Sequence, residues 1–550
     1  MSIQITSLSS TSIAYFCLEV ALKNEIPTYA GGLGILAGDM LLTASDLGLN
    51  YCGVSLLYKD GYFRQDLNWR DCVQTESPEI WSPSEYLTLL EPIFEMLIFG
   101  EKVKVRIWQH IIKSKSEVKV LFLDTNCDGN SDRAKSITSN LYCQDNELRL
   151  AQEILLGIGG LKALELLNQQ LPNKIHLNES AAAFLIPCLQ LKIGIEQAKS
   201  SLVFTTHTPV IHGHRKYDWK VLERALEPDI LAQIKANYND IEQLFNQTRY
   251  CLDNSGYSNT VSKIHKHETE LMFPGYKVDS ITNGVHSRWL SSSRLELYNT
   301  YLGNWHQDPI NFHKVATIPD ILWNQTHQND KVKLLALIKN RIGFELDQNV
   351  FTIGFARRVD PYKRHDLLVA EFQKLEVLAD QLGGLQIIYS GKAYPTTGGY
   401  NSGLNKLMSA IRSIPSNSTL KIVYIPNYNI ELGLALVNGV DLWLNNPEVG
   451  KEASGTSGMK ASIAGIPSLS TLDGWWAEGS IEGVTGWNIT GSANGDEQKS
   501  LFEQLNQIIN IYYNDKAKWT QISKSCTMLN ANYFGSKRLL EEYLLKGYLK

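Results

Sequence analysis

Short apolar runs, most of them followed by loops of glycine, proline or charged residues, recur along this chain. Five of them lie at 174–178, 201–205, 350–355, 385–390 and 420–425. Stretches with helical apolar spacing, such as 150–168 and 181–191, alternate with these strand-like runs. Strands that alternate with helices are typical of an α/β fold with parallel sheets, where functional loops follow the carboxyl ends of the strands. The sequence therefore predicts a doubly wound α/β protein.

The domain organisation follows from the length and from one irregular stretch. A chain of 550 residues suits two or three domains rather than one. The stretch 291–331 is polar and aromatic without a sustained period, and we interpret it as the hinge between two α/β domains. We expect one domain over 1–295, a second over 296–525, and a C-terminal helix over 526–550 that crosses back to the first.

Composition and charge exclude several functional classes. The formal net charge is −5 and no basic stripe is visible, so the chain does not resemble a nucleic-acid binder. The eight cysteines form no CxxC pair, so the sequence supports neither a zinc site nor a redox site, and we predict no metal. No apolar run approaches the ~20 residues that span a bilayer, and the N-terminus lacks the pattern of a secretory signal. We expect a cytoplasmic protein without a membrane partner.

A loop of small residues precedes Lys460. The loop runs from Ala453 to Gly458, after a strand-like segment at 441–446 and before a short helical segment at 461–465. Small residues let backbone amides approach an anion, and the start of a helix adds the positive end of its dipole. The loop lacks the Gly-Lys-Ser/Thr ending of a Walker A motif. A strand-to-helix turn that carries a surface lysine is the alternative interpretation.

A dense cationic run follows the strand-like segment at 350–355. Four cations stand within the eight residues Arg357–Arg364, and they would repel one another unless an anion lay among them. Arginine can form bidentate hydrogen bonds to phosphate, and lysine supplies a point charge. A solvated surface is the alternative interpretation of such a run.

Two weaker signals stand in the first half of the chain. Gly31-Gly32-Leu33-Gly34 can open a helix with its amides against a phosphate, although lone glycine loops are weak signals. His207 follows a strand in Phe204-Thr-Thr-His-Thr-Pro209, where a structural histidine is the alternative. Together with the cationic run and the small-residue loop, these segments favour phosphate chemistry between two domains without a divalent ion.

These segments also identify a family. From Ala14-Tyr-Phe-Cys-Leu-Glu19 to Leu472-Asp-Gly-Trp-Trp-Ala-Glu478 the chain resembles the α-glucan (glycogen, starch, maltodextrin) phosphorylases, and among them the shorter bacterial branch. Other ordered matches are Gly31–Gly34, Thr206–Thr208, Ile281–His286, Arg357–Arg364 and, most specifically, Glu452–Lys460. The resemblance implies a GT-B architecture, in which two Rossmann-like domains form the active-site cleft.

The resemblance also implies a reaction and a cofactor. Inorganic phosphate would attack the terminal α-1,4-glucosyl unit at the non-reducing end and release glucose 1-phosphate with retained configuration. The counterpart of Lys460 holds pyridoxal 5′-phosphate (PLP) as a Schiff base, and the cofactor's 5′-phosphate relays protons to the substrate phosphate. The implied partners are an α-1,4-glucan and inorganic phosphate or glucose 1-phosphate, and a homodimer is an option that the resemblance leaves open.

Residue roles carry over by position. The resemblance implies catalytic roles for Arg358, Lys363 and His207. It implies cofactor binding by Lys460, Arg357, Thr456, Ser457, Tyr428 and Gly32. It implies substrate binding by Gly32, Leu33, Asn283, Glu452, Ala453, Ser454 and Gly455. By the same resemblance, Arg358 and Lys363 screen the repulsion between the two phosphates, and the carbonyl of His207 stabilises the oxocarbenium-like transition state.

Two alternatives stay open, and a departure from the family pattern prompts one of them. Where the family often has histidine, this chain has Ala181, which cannot donate a side-chain hydrogen bond. An inactive glucan-binding paralogue is therefore one alternative, and a nucleotide-sugar glucosyltransferase of the same fold, similar to glycogen synthase, is the other. The preference between glycogen and maltodextrin and any allosteric control stay undetermined.

Overall fold

The computed structural model of the protein describes residues 11–68, 73–168, 170–238, 243–393, 402–491 and 494–550. They form two compact units. The first unit contains the chain up to Phe63, Pro78–Thr282 and Leu539–Lys550. The second unit contains Arg64–Ser77 and Asn283–Arg538. The change between units thus falls near 282, whereas the sequence suggests 295.

The first unit is built on a mixed sheet. In order across the sheet its strands are Asp279–Ser280, Tyr257–Thr260, Leu202–Thr205, Lys174–Asn178, Ile13–Phe16, Tyr51–Leu56, Glu117–Asp124, Glu101–Lys113 and Thr88–Ile98. Neighbouring strands are parallel except at the last two pairings. The order along the chain reverses between Ile13–Phe16 and Lys174–Asn178, and ligands of doubly wound sheets bind at the carboxyl ends of such strands.

Helices cover both faces of this sheet. They are Gly32–Leu47, Asp132–Ser136, Asn146–Ile154, Gly160–Asn168, Leu185–Ile193, Ile195–Ser201, Trp219–Ala225, Pro228–Ala236, Gln247–Asn254, Lys263–Met272 and, from Leu539 onwards, Ser536–Tyr543. Along the strand Ile13–Phe16, successive side chains enter two different apolar clusters, and the whole strand is buried. Strands covered on both faces are continuously apolar, which is why the sequence pattern predicts them well.

The second unit carries a parallel sheet of the doubly wound type. In order its strands are Leu420–Ile425, Leu385–Ser390, Thr352–Ala356, Leu442–Asn445, Ser468–Thr471 and Gly486–Ile489. Numbered along the chain, this order is 3-2-1-4-5-6, that of dinucleotide-binding folds. The order reverses between Thr352–Ala356 and Leu442–Asn445, so the loops after these two strands mark the expected site.

The helices of this unit surround the sheet, and a short antiparallel pair, Arg64–Asn68 with Val73–Ser77, belongs to the same unit. The helices are Ser292–Tyr301, Asp320–Ile342, Phe372–Leu382, Ser402–Ser413, Ile430–Gly439, Thr456–Ile463, Trp476–Gly479, Asn494–Asn514 and Lys516–Asn530.

The interpretation of 291–331 as a hinge is wrong. This stretch contains the helix Ser292–Tyr301 and the start of Asp320–Ile342. Aromatic packing holds it in place: the rings of Tyr298 and Phe312 lie 5.7 Å apart, and Trp305 lies 5.4 Å from Phe312. An aromatic cluster of this kind leaves no periodic aliphatic stripe in the sequence, so the helical pattern is hidden.

Candidate active site

The loops after the two central strands of the second unit bring three predicted site residues together. Oε2 of Glu452 accepts hydrogen bonds from Nη2 of Arg357 and from Nζ of Lys363. All three side chains are largely buried. The sequence predicts an anion among these cations, and in the structure the anion is a carboxylate from the neighbouring loop.

This triad sets the protonation of its members. Burial and the charge of Arg357 lower the pKa of Lys363 to about 8, although Glu452 opposes the shift. Burial on its own raises the pKa of Glu452, but Arg357 and Lys363 together lower it to about 2. Nη1 of Arg357 is buried without a hydrogen-bond partner among the described residues, so this guanidinium can bind one more acceptor.

The other two cations of the run have different surroundings. Arg358 is about half exposed, at 44%, and lies 3.4 Å from Asp360. Arg364 is buried, pairs with Glu497, and donates to two backbone carbonyls at 2.8 Å. Arg364 therefore stabilises the fold. Carboxylates of the chain contact all four cations of the run, with one carboxylate shared by two of them, so the repulsion expected from the sequence is partly offset within the chain.

A second loop holds Glu452 and its neighbours in place. Oδ2 of Asp473 accepts from the amide of Glu452 at 2.9 Å, and the amide of Trp475 donates to the carbonyl of Ser454 at 2.8 Å. Gly474 has φ +52°, and a Cβ there would lie 2.5 Å from the same Ser454 carbonyl oxygen. Sequence reasoning missed this function of Asp473, although it belongs to the family-like segment 472–478. Burial raises the pKa of Asp473 to about 6.

Two predicted sugar-binding residues carry unsatisfied polar atoms. Oγ of Ser454 and Oδ1 of Asn283 are buried, and neither has a hydrogen-bond partner among the described residues. An unsatisfied buried polar atom costs about 1–3 kcal/mol, so a ligand with hydroxyl groups would relieve this cost. Ala453, between Glu452 and Ser454, is half-buried.

The helix Thr456–Ile463 begins directly after this loop. Gly455 turns the chain with φ +82°, and the helix start has neither a side-chain cap nor an acidic residue in its first turn. The first amides, those of Thr456 and Ser457, and the helix dipole therefore favour an anion here. Lys460 is the fifth residue of this helix, whereas the sequence suggests a helical segment that begins only at 461; Gly455 lets the helix begin earlier.

Lys460 is buried and its amine lies over the ring of Trp289. Its Nζ lies 3.6 Å from the ring centroid of Trp289, so it is not a surface lysine. The hydroxyl of Tyr428 approaches the helix Ile430–Gly439 at Gly433, where a Cβ would lie 2.5 Å from that hydroxyl and 3.5 Å from Cζ3 of Trp289. A buried amine beside the ring of Trp289, an uncapped helix start, and an arginine nitrogen without a partner among the described residues fit a planar, phosphorylated cofactor such as PLP.

The glycine loop of the first unit also lies at a helix start without a side-chain cap. The helix Gly32–Leu47 begins without a side-chain cap, Gly32 is exposed, and Leu33 is half-buried. Oε2 of Glu19 accepts from the amides of Ala30 and Gly31 at 2.6 and 3.0 Å and so fixes the approach to the helix. Glu19 follows the first strand of the sheet, and sequence reasoning gave it no role of its own.

His207 lies after the strand Leu202–Thr205, as predicted, and it is held from two sides. Its Nε2 lies 2.7 Å from Oδ1 of Asn178, and its backbone amide donates to Glu179. Burial, and to a smaller extent the charge of His265, lower the pKa of His207 to about 3. The ring is therefore neutral and donates to Asn178. Ala181 is buried in the 3₁₀ turn that directly follows Asn178 and Glu179 in the chain.

The described residues contain no group of three or more His, Cys, Asp or Glu side chains that could hold a metal ion. Among the same residues, no helix is long and apolar enough to cross a membrane.

Comparison with known proteins decides the family. The model of the carbohydrate phosphorylases matches residues 254–483. Maltodextrin phosphorylase of Thermococcus litoralis is 33% identical over 98% of this chain and 70% of its own length. Glycogen phosphorylase of Aquifex aeolicus is 31% identical over 98% of this chain and 86% of its own length. The chain belongs to the carbohydrate phosphorylase family.

One relative matches this phosphorylase in length as well. An uncharacterized protein of Methanocaldococcus jannaschii is 30% identical over 97% of this chain and 99% of its own length. The family match covers 254–483 and so includes the whole cationic run, the small-residue loop and Lys460.

Proposed function

We propose that this phosphorylase is an α-1,4-glucan phosphorylase that uses inorganic phosphate to release glucose 1-phosphate from the non-reducing end, with retention and with PLP held by Lys460. The observation that carries the proposal is the position of Lys460. It is buried at the ring of Trp289, on the helix whose start follows the triad of Arg357, Lys363 and Glu452. A glucosyltransferase that uses sugar nucleotides has no need of a buried lysine there.

The cofactor is assigned to residues of the second unit. Lys460 would attach it covalently, the ring of Tyr428 would border it, and Arg357, Thr456 and Ser457 would hold its phosphate. Nη1 of Arg357, which lacks a partner among the described residues, and the uncapped start of Thr456–Ile463 supply suitable donors. When bound, PLP supplies a second phosphate group that can relay protons beside the substrate phosphate.

The substrate phosphate is assigned to Lys363 and Arg358, with the amides of Gly32 and Leu33 as further donors. Arg358 is half exposed and so can reorient at little cost. Lys363 donates to Glu452, so it binds phosphate either by breaking this ion pair or by donating to both anions at once. Two cations beside two phosphates reduce the repulsion that otherwise opposes their approach, and such preorganised charge often contributes more to catalysis than any other single effect.

The glucosyl unit is assigned to polar atoms that lack hydrogen-bond partners within the described part of the chain. Ser454 and Asn283 offer the buried oxygens described above, and Glu452, with the backbone of Ala453 and Gly455, adds further acceptors and donors. The backbone carbonyl of His207 would face the positive charge that develops on the sugar ring. The GT-B arrangement, with the reaction between the two domains, a homodimer and a cytoplasmic location also belong to the proposal.

A comparison of glucosyl donors tests the function. The holoenzyme is incubated with maltoheptaose and inorganic phosphate, and separately with maltoheptaose and UDP- or ADP-glucose. We expect glucose 1-phosphate in the first reaction and no chain extension in the second. Extension from a sugar nucleotide would favour the glucosyltransferase, and glucan binding without either reaction would favour the inactive paralogue.

A pair of lysine variants tests the cofactor assignment. Lys460→Ala should purify without an imine absorbance band and without PLP that borohydride fixes to the protein. Lys451→Ala is the matched control, because Lys451 lies in the loop that precedes the helix of Lys460 but is 47% exposed and pairs with Glu448. Loss of bound PLP from both variants, or from neither, would contradict the assignment to Lys460.

A further inference from the structure

Glu179 has an unusual backbone conformation at the carboxyl end of the strand Lys174–Asn178. Its φ of +79° and ψ of 162° fall in a region that is normally occupied by glycine. The strand ends at the point where the sheet order of the first unit reverses, which is where doubly wound folds place ligands. A glutamate in this position is strained, and the strain has to be offset by contacts of its side chain.

The side chain of Glu179 accepts hydrogen bonds from the turn that contains His207. Its Oε1 accepts the backbone amide of His207, the hydroxyl of Thr208 at 3.0 Å and the hydroxyl of Thr206 at 3.5 Å. Its Oε2 accepts the amide of Ser180 at 3.2 Å. One carboxylate thus contacts three consecutive residues of the turn that carries His207.

These contacts orient the carbonyl of His207. That carbonyl shares a rigid peptide plane with the amide of Thr208, which donates to Oγ1 of Thr206 at 3.4 Å. Because Thr206 also donates to Glu179, both peptide planes that flank His207 are tied to the same carboxylate. Loss of the Glu179 carboxylate would therefore remove a restraint from the carbonyl as well as from the amide.

The imidazole is fixed independently by Asn178. Nδ2 of Asn178 donates to Sγ of Cys17 at 3.3 Å, which leaves Oδ1 directed at Nε2 of His207. Loss of the Glu179 carboxylate would thus free the backbone of the turn while the ring stays attached. This separation makes the contribution of Glu179 measurable.

We infer that Glu179 is a positioning residue, whose carboxylate holds the backbone carbonyl of His207 in the direction that the glucosyl transition state requires. The inference rests on the proposed function for the transition state, but the hold on the His207 turn is a property of the fold alone. It also explains why a glutamate stands where the backbone conformation favours glycine, since glycine has no carboxylate to accept these hydrogen bonds.

Three variants of Glu179 test the inference. Glu179→Gly removes the carboxylate and relaxes the backbone, Glu179→Ala removes the carboxylate and keeps the strain, and Glu179→Gln keeps an acceptor at Oε1. Hydrogen exchange of the His207 and Thr208 amides, thermal unfolding, and kcat and KM of phosphorolysis are measured for each. The exchange and unfolding readouts need no activity.

We expect Glu179→Gly to melt no lower than Glu179→Ala, and the two amides to exchange about tenfold faster in both, the scale of one hydrogen bond to a charged group. Turnover should fall on the order of 10- to 100-fold, as for a misplaced catalytic group, with KM for phosphate nearly unchanged. Glu179→Gln should recover most of the exchange protection and most of kcat.

Unchanged exchange in Glu179→Gly would overturn the inference, as would a loss of kcat in Glu179→Gln equal to that in Glu179→Gly. A wild-type protein that releases no glucose 1-phosphate would instead overturn the proposed function. In that case the exchange data still decide whether Glu179 holds the His207 turn.

Discussion

The substitution Glu452→Gln tests how the cationic site is balanced. The carboxylate of Glu452 is the shared partner of Arg357 and Lys363, and all three side chains are at most 12% exposed. Removing one partner of a buried ion pair costs about 3–5 kcal/mol, because the remaining charge stays buried and unpaired. We therefore expect the variant to lose about 3 kcal/mol or more of unfolding free energy in a buffer without phosphate.

Inorganic phosphate should restore much of this loss. In the wild type, inorganic phosphate has to compete with Glu452 for Lys363, whereas in the variant it replaces the missing negative charge beside this lysine. A ligand at 100 times its Kd stabilises the folded state by about 2.7 kcal/mol. For domains of 150–250 residues, 1 kcal/mol shifts Tm by about 2–4 °C, so the gain should be roughly 5–10 °C.

The assay is thermal unfolding at pH 6, where Lys363 is charged in the wild type, over a series of phosphate concentrations. Glu448→Gln is the matched control, since Glu448 lies in the same loop but is 40% exposed and pairs with Lys451. We expect phosphate to raise the Tm of Glu452→Gln more than that of the wild type or the control. Equal gains in all three proteins would refute the reasoning that Glu452 competes with phosphate for Lys363.

Three further outcomes follow from the structure. Gly34→Ala should lower the free energy of unfolding in urea by about 1–3 kcal/mol, because the new Cβ would lie 2.8 Å from Oε2 of Glu19. At Gly32 an added Cβ meets open space, so Gly32→Ala is the control and should be as stable as the wild type. Equal destabilisation by the two substitutions would contradict this reasoning. Burial raises the pKa of Asp473 to about 6, so the stabilisation by its neutral carboxyl group is present below pH 3.8 and is lost as pH rises through 6. In urea unfolding from pH 4 to 7, the free energy of unfolding of Asp473→Asn should therefore fall by up to about 3 kcal/mol less than that of the wild type. The same pH dependence in both proteins would contradict this expectation. Lys363 loses its proton as pH rises through about 8, so the apparent affinity for phosphate, measured by calorimetry, should fall above that pH, and a flat profile would exclude Lys363 as a ligand.

The strands were the most predictable part of the fold. Those at Lys174–Asn178, Leu385–Ser390 and Leu420–Ile425 have the bounds that the apolar runs indicate. Strands of a parallel sheet are buried on both faces, so they are marked by continuous apolar residues in the sequence itself. The helix Ser292–Tyr301 was not predictable in this way, because its aromatic neighbours on later segments decide its packing.

The chemistry of the site was predictable only as separate segments. The motifs point to Arg357, Lys363 and Lys460, but the shared partner Glu452 lies 95 residues after Arg357, and only the sheet order brings it there. Trp289 and Asp473 were missed for the same reason. Glu179 was missed because a left-handed backbone at a residue other than glycine leaves no mark in the sequence.

The most direct test of the proposed function is ³¹P nuclear magnetic resonance of the holoenzyme with maltoheptaose and inorganic phosphate. We expect the signal of α-glucose 1-phosphate to grow as the signal of inorganic phosphate falls by the same amount, and Lys460→Ala to abolish the change. No sugar phosphate from the PLP-loaded wild type, or the β-anomer as product, would contradict a retaining α-glucan phosphorylase.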